Sequence, residues 1–191
     1  TVDGVPHHLM QPFMVLATQN PIEYEGTFPL PEAQLDRFLL HLQLGYPSLR
    51  DEIRVLEKQQ SQHPIESLES VASNEEILEA IDATKQIYVS DAVKRYIVEI
   101  TSQTRKSGDV HLGASPRGSL ALFRTGQARA ALRGRDHVLP DDIKALAVPV
   151  LGHRIILGPA ARMREFNADQ IVRELAYGIP VPGGDFQTVQ S

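Results

Sequence analysis

The chain has 191 residues, of which 42% are hydrophobic and 23% are charged, a composition that supports a folded core and excludes wholesale disorder. Its formal charge of −5, from 19 basic and 24 acidic residues, argues against a dedicated nucleic-acid-binding protein, and the absence of cysteine excludes disulfides and thiolate metal sites. No apolar run approaches the length of a membrane span and the N-terminus lacks a signal-peptide layout, so we expect a cytoplasmic protein without a membrane span.

The first part of the chain predicts a small α/β segment. Asp3-Gly4 is a strong two-residue turn signal and predicts a hairpin. The continuous apolar run over 13–17 predicts a buried strand, and three prolines exclude a helix over 19–31. A second apolar run over 38–44 predicts another strand. Because strands joined through a loop and a helix are usually parallel, we predict a partial core with a hairpin and two parallel strands.

Helix signals dominate the rest of the chain. Apart from a short helix at Glu32, helix starts are predicted from capping residues or a proline in the first turn, at Ser48, Ser73, Ser90, Ser115 with Pro116, Pro140, and Asn167 with Gln170. In the helix after Ser90, apolar residues recur at helical spacing, which indicates a face packed in a core. The fold class is therefore predicted to be α+β and mostly α, with a partial α/β core followed by a helical domain.

These patterns divide the chain into four regions. We predict a partial α/β core over 1–46, a helix and linker over 47–72, a helical domain over 73–180 and a loose tail over 181–191. Two strands cannot form a stable isolated parallel sheet, because such sheets need neighbouring strands and helices on both faces. We therefore expect the first region to be the C-terminal piece of a larger core, in agreement with a chain that begins with Thr1.

Asn20 follows the first predicted strand. Open α/β sheets commonly bind their ligands at the carboxyl ends of strands. An amide can both donate and accept a hydrogen bond, so Asn20 could hold a water molecule in line with a phosphate. Asn-Pro is also a common turn starter, and the residues alone leave both interpretations open.

Arg37 and Arg117 are two cationic candidates. Arg37 follows the proline-rich loop, and a guanidinium offered by a neighbouring subunit can neutralise the charge on a transferred phosphoryl group. Arg117 lies in the first turn of a predicted helix, where a cation opposes the helix dipole unless an anion binds nearby. Either could instead be a surface residue, with Arg37 paired to Asp36 or to a glutamate.

Several motifs are absent from the sequence. It contains no Gly-Lys pair and therefore no G-x-x-x-x-G-K-[ST] phosphate loop. The only Asp-Glu pair, Asp51-Glu52, follows a helix cap, so it does not match the acidic pair that holds magnesium after an apolar strand. The seven histidines show no metal-ligand spacing, and we predict no metal site.

Two long stretches together resemble the MoxR family of AAA+ ATPases: VLATQNPIEYEGTFPLPEAQLDRFLL with GYPS after it, and GASPRGSLALFRTGQARAALRGRDHVLPDDIKALAVPVLGHRI. The resemblance covers nearly all of residues 1–158. It implies that Asn20 is the sensor 1 residue, Arg37 the arginine finger that acts on ATP held by the adjacent subunit, and Arg117 the sensor 2 arginine of a helical lid. It also likens the helix after Ser48 to the insertion that precedes the lid in this clade.

The resemblance implies that the intact protein is an enzyme that hydrolyses ATP to ADP and phosphate with magnesium. Such a protein is expected to form a homo-oligomeric ring, a hexamer, and to act as a chaperone-like remodeller of partner proteins, often with a partner that contains a von Willebrand factor A domain. In the family, the phosphate loop and the acidic pair precede the part that this chain matches. We therefore expect this chain to be the C-terminal portion and, alone, to bind no ATP or magnesium and to be inactive.

Two alternatives stay open. The chain could be a non-catalytic lid or interaction module, or a related AAA+ subunit of the magnesium chelatase or helicase clade. A G-x-x-x-x-G-K-[ST] motif upstream in the full-length gene would favour the ATPase over the module. The negative charge and the lack of a basic stripe count against a helicase and against a nucleic-acid partner.

Overall fold

The computed structural model describes residues 3–19, 30–60 and 63–182. The chain divides into two compact units, Thr1–Gln19 with Leu42–Asp82 and Asn20–His41 with Ala83–Ser191. The α-helices of the described residues are α1 (Glu32–Leu35), α2 (Leu49–Gln59), α3 (Asn74–Lys85), α4 (Asp91–Lys106), α5 (Pro116–Leu132), α6 (Pro140–Leu151), α7 (Pro159–Met163) and α8 (Ala168–Gly178). Strands β1 (Val110–Leu112) and β2 (Ile156–Leu157) pair antiparallel, and short 3-10 helices occupy Pro64–Ser67 and Gly152–Arg154. The prediction of a mostly helical chain with a helical domain is confirmed.

The predicted helix caps are present in the structure. A side-chain oxygen accepts a hydrogen bond from a backbone N–H in the first turn at Ser48 (3.3 Å), Ser90 (3.2 Å), Ser115 (3.3 Å) and Asn167 (2.7 Å). Ser73 and Glu76 form a reciprocal capping box, with N–H to oxygen distances of 2.7 and 3.2 Å. Such bonds satisfy the N–H groups that have no partner inside the helix, which is why the helices start at these residues.

The core of the second unit lies between α4, α5, α6 and α8. The predicted apolar face of α4 is buried there, and the largest fully buried side chains include Ile100, Leu122, Ile143 and Leu151. Gly126 of α5 lies against this core, because a Cβ atom at that position would be 2.7 Å from Cδ1 of Ile143. The close helix packing fixes the ends of α5 and α6, which carry the residues of the candidate site.

A buried carboxylate ties the end of α5 to the start of α6. Asp142 is 2% exposed and accepts two hydrogen bonds from the guanidinium of Arg135, at 2.7 and 2.8 Å. The backbone N–H of Leu139 donates to the same carboxylate at 3.0 Å, and Nε of Arg129 lies 3.4 Å from its Oδ1. Burial by itself would raise the pKa of Asp142, but the hydrogen bonds from Arg135 and Leu139 outweigh burial and hold the pKa below its usual value.

The two parallel strands predicted in the first part of the chain are not formed. Residues 13–17 and 38–44 pair with no other described strand, and Phe13, Val15 and Leu16 are 55%, 57% and 83% exposed. Parallel strands are stable only when neighbouring strands and helices cover them, and the described residues supply no such neighbours. The antiparallel pair β1–β2 was not predicted, because its strands have only three and two residues.

The predicted turn at the start of the chain is present. Asp3 and Gly4 have φ angles of 49° and 81°, the left-handed conformation that a tight hairpin turn requires at both central residues. The predicted region boundaries at 46, 72 and 180 stay a prediction, and most of the predicted tail lies outside the described residues. Among the helices of the described residues, none combines the length and the apolar character that crossing a bilayer would require.

Candidate functional site

The structure places two of the three predicted site residues. Asn20 lies outside the described residues, so its position stays a prediction. Arg37 and Arg117 both belong to the second compact unit, although they are 80 positions apart in the sequence. Asp36, the residue before Arg37 in the chain, pairs with Arg117 through its carboxylate.

Arg117 stands in the first turn of α5. The hydroxyl of Ser115 caps this helix, and Pro116 occupies its first position, so the helix start is fixed by local sequence. The side chain of Arg117 is 62% exposed, and its Nη1 lies 3.5 Å from Oδ2 of Asp36. A guanidinium at the N-terminal end of a helix and largely open to solvent remains available to an anion.

Arg37 lies in the turn that follows the short helix α1. Its backbone N–H donates to the carbonyl of Gln34 at 3.1 Å, which holds the turn, while the residue itself is exposed. Within the part of the chain that the structure describes, its guanidinium makes no hydrogen bond or ion pair. The alternative of a pair with Asp36 is not seen, since the Asp36 carboxylate binds Ser115, Arg117 and Arg154 instead.

Arg154 follows α6 and holds the chain on both sides of Arg37. Its side chain is only 2% exposed, and its Nε lies 3.2 Å from Oδ1 of Asp36. Its Nη2 donates to the carbonyl of Phe38 at 2.5 Å, and its Nη1 donates to the carbonyl of Leu39 at 3.3 Å. Burial lowers the pKa of Arg154 and the Asp36 carboxylate opposes this shift, so the buried cation has an anionic partner.

His153 adds a second contact to the same segment. Its Nε2 lies 3.1 Å from the carbonyl oxygen of Phe38, and a carbonyl can only accept, so we assign the ring proton to Nε2. Burial lowers the pKa of His153, and the charge of Arg154 lowers it further. The ring is therefore neutral near pH 7, and it contributes a hydrogen bond without adding charge next to Arg154.

Sequence reasoning missed Asp36, His153 and Arg154 as members of this site. The sequence indicated Asp36 only as a possible partner for Arg37. It contained His153 and Arg154 only as part of the stretch that resembles the family. The available signal was a His-Arg pair directly after the apolar end of α6, since a charged residue next to a core segment needs a buried partner. Its partner is more than a hundred positions away, so the sequence did not identify it.

The arrangement can bind and neutralise negative charge. Arg117 pairs with the Asp36 carboxylate and Arg37 is exposed at the next position of the chain, and guanidinium groups match the oxygens of a phosphate in geometry and charge. In residues 3–19, 30–60 and 63–182, no group of three or more histidine, cysteine, aspartate or glutamate side chains could hold a metal ion. The described arginines therefore offer positive charge to a bound anion.

Family models match two parts of the chain. Residues 1–40 match the model described as "ATPase family associated with various cellular activities (AAA)". Residues 102–175 match the model of the AAA lid domain. The first match includes Asn20 and Arg37, and the second includes Arg117 and Arg154.

Curated relatives and a solved structure agree with these matches. The chain is 50% identical to the uncharacterized protein YeaC of Bacillus subtilis, covering 95% of this chain and 57% of that protein. It is 32% identical to the chaperone MoxR1 of Mycobacterium tuberculosis, covering 95% of this chain and 50% of the relative. A crystal structure of a Cytophaga hutchinsonii protein classed as an ATPase superposes with a TM-score of 0.87 at 33% identity, covering 95% of this chain and 58% of that one. The chain thus spans between half and three fifths of the length of these proteins.

Proposed function

This chain belongs to the MoxR family of AAA+ ATPases, and on that premise we propose that it supplies the sensor residues and the arginine finger of an ATP-hydrolysing ring. The observation that carries the proposal is that Arg37 and Arg117 are both exposed and belong to the same compact unit, with Arg117 paired to the carboxylate of the residue before Arg37. In this proposal the chain provides positive charge for a triphosphate, and other residues of the full-length protein form the rest of the nucleotide pocket.

Each of the three residues has a separate role in this proposal. Arg37, exposed and without a partner among the described residues, acts as the finger that neutralises charge on the γ-phosphate of the adjacent subunit. Arg117, at the start of α5, acts as sensor 2 and links the lid to bound nucleotide. Asn20 acts as sensor 1 and orients the attacking water, a role that rests on the family match over residues 1–40.

The residues present fit only one part of a triphosphate site. Such a site needs cations, a cradle of backbone N–H groups and oxygen ligands for magnesium. Arg37 and Arg117 fit the first requirement. The sequence contains no Gly-Lys pair for a phosphate loop, so we propose that ATP and magnesium are held by other residues of the full-length protein.

Ring assembly and remodelling complete the proposal. A finger that acts on a neighbour's ATP requires at least two subunits, and we propose a hexameric ring as in the family. The relative MoxR1 is named a chaperone, which supports remodelling of partner proteins as the use of the ATP energy. A partner with a von Willebrand factor A domain is proposed on the family resemblance alone.

The direct test compares this chain with the full-length protein. We expect the full-length protein to hydrolyse ATP and the 191-residue chain to show no hydrolysis. In calorimetry with ATP and magnesium, the chain should bind no more tightly than about millimolar, because charge without a phosphate cradle gives a weak site. Micromolar binding by the chain, or a full-length protein that does not hydrolyse ATP, would contradict the proposal.

Replacing Arg117 with alanine tests the sensor 2 role. A charge-assisted hydrogen bond to a phosphate is worth about 1.5–3 kcal/mol, so KM for ATP should rise by about ten- to a hundredfold. The matched control is Arg124→Ala, which removes an exposed arginine from the same helix. If the rate of Arg117→Ala depends on ATP concentration as the wild type does, Arg117 has no part in nucleotide sensing.

A further inference from the structure

We infer that Arg154 is a positioning residue for Arg37, and that it sets the place of the finger through the backbone on both sides of it. This inference rests on the proposed function of Arg37. The guanidinium of Arg154 reaches the carboxylate of Asp36 before Arg37 and the carbonyls of Phe38 and Leu39 after it. One rigid group therefore fixes the chain before and after the exposed arginine, whose own side chain stays free for the phosphate.

The burial of Arg154 makes this contact specific. A buried guanidinium must satisfy its N–H donors or lose their hydration without compensation. The Nη1 and Nη2 of Arg154 donate to carbonyls of residues 36–41, here called the finger segment, and to the carbonyl of Val150 in α6, while Nε faces the Asp36 carboxylate as an ion pair. Lysine carries the same charge, but its three N–H donors are on one nitrogen, so it cannot reach the separate positions at which Nε, Nη2 and Nη1 of Arg154 contact Asp36, Phe38 and Leu39.

The C-terminal end of α6 holds the same segment at two further points. The last carbonyls of a helix have no partner within it, and that of Pro149 accepts a hydrogen bond from the His41 N–H at 2.9 Å. His153 contacts the Phe38 carbonyl at 3.1 Å. Because α6 packs in the core of the second unit, its position is fixed, and Arg154 holds the finger segment against the end of this helix.

Asp36 extends the arrangement to the second arginine. Its Oδ1 faces Arg154 at 3.2 Å, while its Oδ2 faces Arg117 at 3.5 Å. The carboxylate is 22% exposed, so it is partly shielded from water and its position depends on the buried partner. Asp36 is thus shared by Arg154 and Arg117, and its contact with the buried Arg154 fixes the residue that precedes Arg37.

The test is Arg154→Lys in the full-length protein, with Arg164→Lys as the matched control. Arg164 is 57% exposed and pairs with Asp109 at the surface, so the same substitution there should leave turnover unchanged. For Arg154→Lys we expect kcat for ATP to fall by about a hundredfold, because a displacement of about 1 Å at a catalytic group can cost that much. KM for ATP should stay within about twofold, because ground-state binding is not changed.

Two further readouts separate positioning from general stability. In an Arg37→Ala background, Arg154→Lys should lower kcat by no more than about twofold, because it acts through Arg37 and that contribution is already lost. The amide of His41 should exchange with solvent at least about tenfold faster in Arg154→Lys, since its segment is released. If Arg154→Lys does not fold, Asp36→Asn removes the same ion pair, together with the one to Arg117, and should give a comparable loss of kcat that again depends on Arg37.

The outcomes distinguish this inference from the function on which it rests. A full-length protein without ATP hydrolysis would overturn the proposed function and the role of Arg154 with it. Hydrolysis that is unaffected by Arg154→Lys would overturn the inference alone. Equal losses in the presence and absence of Arg37 would also overturn it, because they would show that Arg154 acts on the structure as a whole.

Discussion

Replacing Arg37 with alanine in the full-length protein is expected to lower ATP turnover by about a thousandfold or more, while nucleotide binding persists. The physical reason is that, in the proposed function, the finger meets its phosphate only across the subunit boundary, where charge develops in the transition state. The exposed side chain of Arg37 has no partner among the described residues, so its removal breaks no contact seen in the structure. Turnover and nucleotide affinity should therefore separate in this variant.

The control for this experiment is Arg50→Ala, which removes an exposed arginine from α2 and should leave turnover unchanged. Mixed rings give a second check. Subunits with Arg37→Ala, mixed with subunits whose phosphate loop is disabled, should regain part of the activity, because each intact pocket can meet an intact finger. Wild-type turnover in Arg37→Ala, or no recovery in mixed rings, would remove the assignment.

Replacing Asp142 with alanine is expected to destabilise the chain by about 3 kcal/mol, measured as the free energy of unfolding in urea. The carboxylate is buried, and its loss leaves Arg135 and the N–H of Leu139 without their acceptor. Asp141→Ala is the matched control, because Asp141 is exposed at the preceding position of α6. It should cost only about 0.3–1 kcal/mol through the helix dipole.

The same carboxylate predicts an acid-dependent loss of stability. The pKa of Asp142 is lowered in the folded state, so its stabilisation is fully present above the unfolded pKa of about 3.9. It is lost as the pH falls through the lowered folded pKa. The difference in unfolding free energy between the wild type and Asp142→Asn should therefore be constant above about pH 5 and shrink below about pH 4. A difference that does not change with pH would show that Asp142 contributes by shape alone.

The fold of the helical part was predictable because its signals are local. The caps at Ser48, Ser73, Ser90, Ser115 and Asn167 bind an N–H two or three positions later, so residue type and spacing were enough to find them. The apolar face of α4 was predictable for a similar reason, because helical periodicity places its residues on one side. The strands over 13–17 and 38–44 were not formed, because a strand depends on neighbours that no local pattern contains.

The sequence by itself determined the helix starts, the family resemblance and the choice of Arg37 and Arg117 as candidates. Only the tertiary structure decided how these arginines are held, through an Asp36 carboxylate shared by Arg117 and the buried Arg154. The contact between Arg154 and the Phe38 carbonyl joins residues 116 positions apart. Local hydrogen bonds follow from which residues are neighbours in the chain. The contacts of Arg154 with Asp36 and Phe38 depend instead on how the core brings the end of α6 to the finger segment.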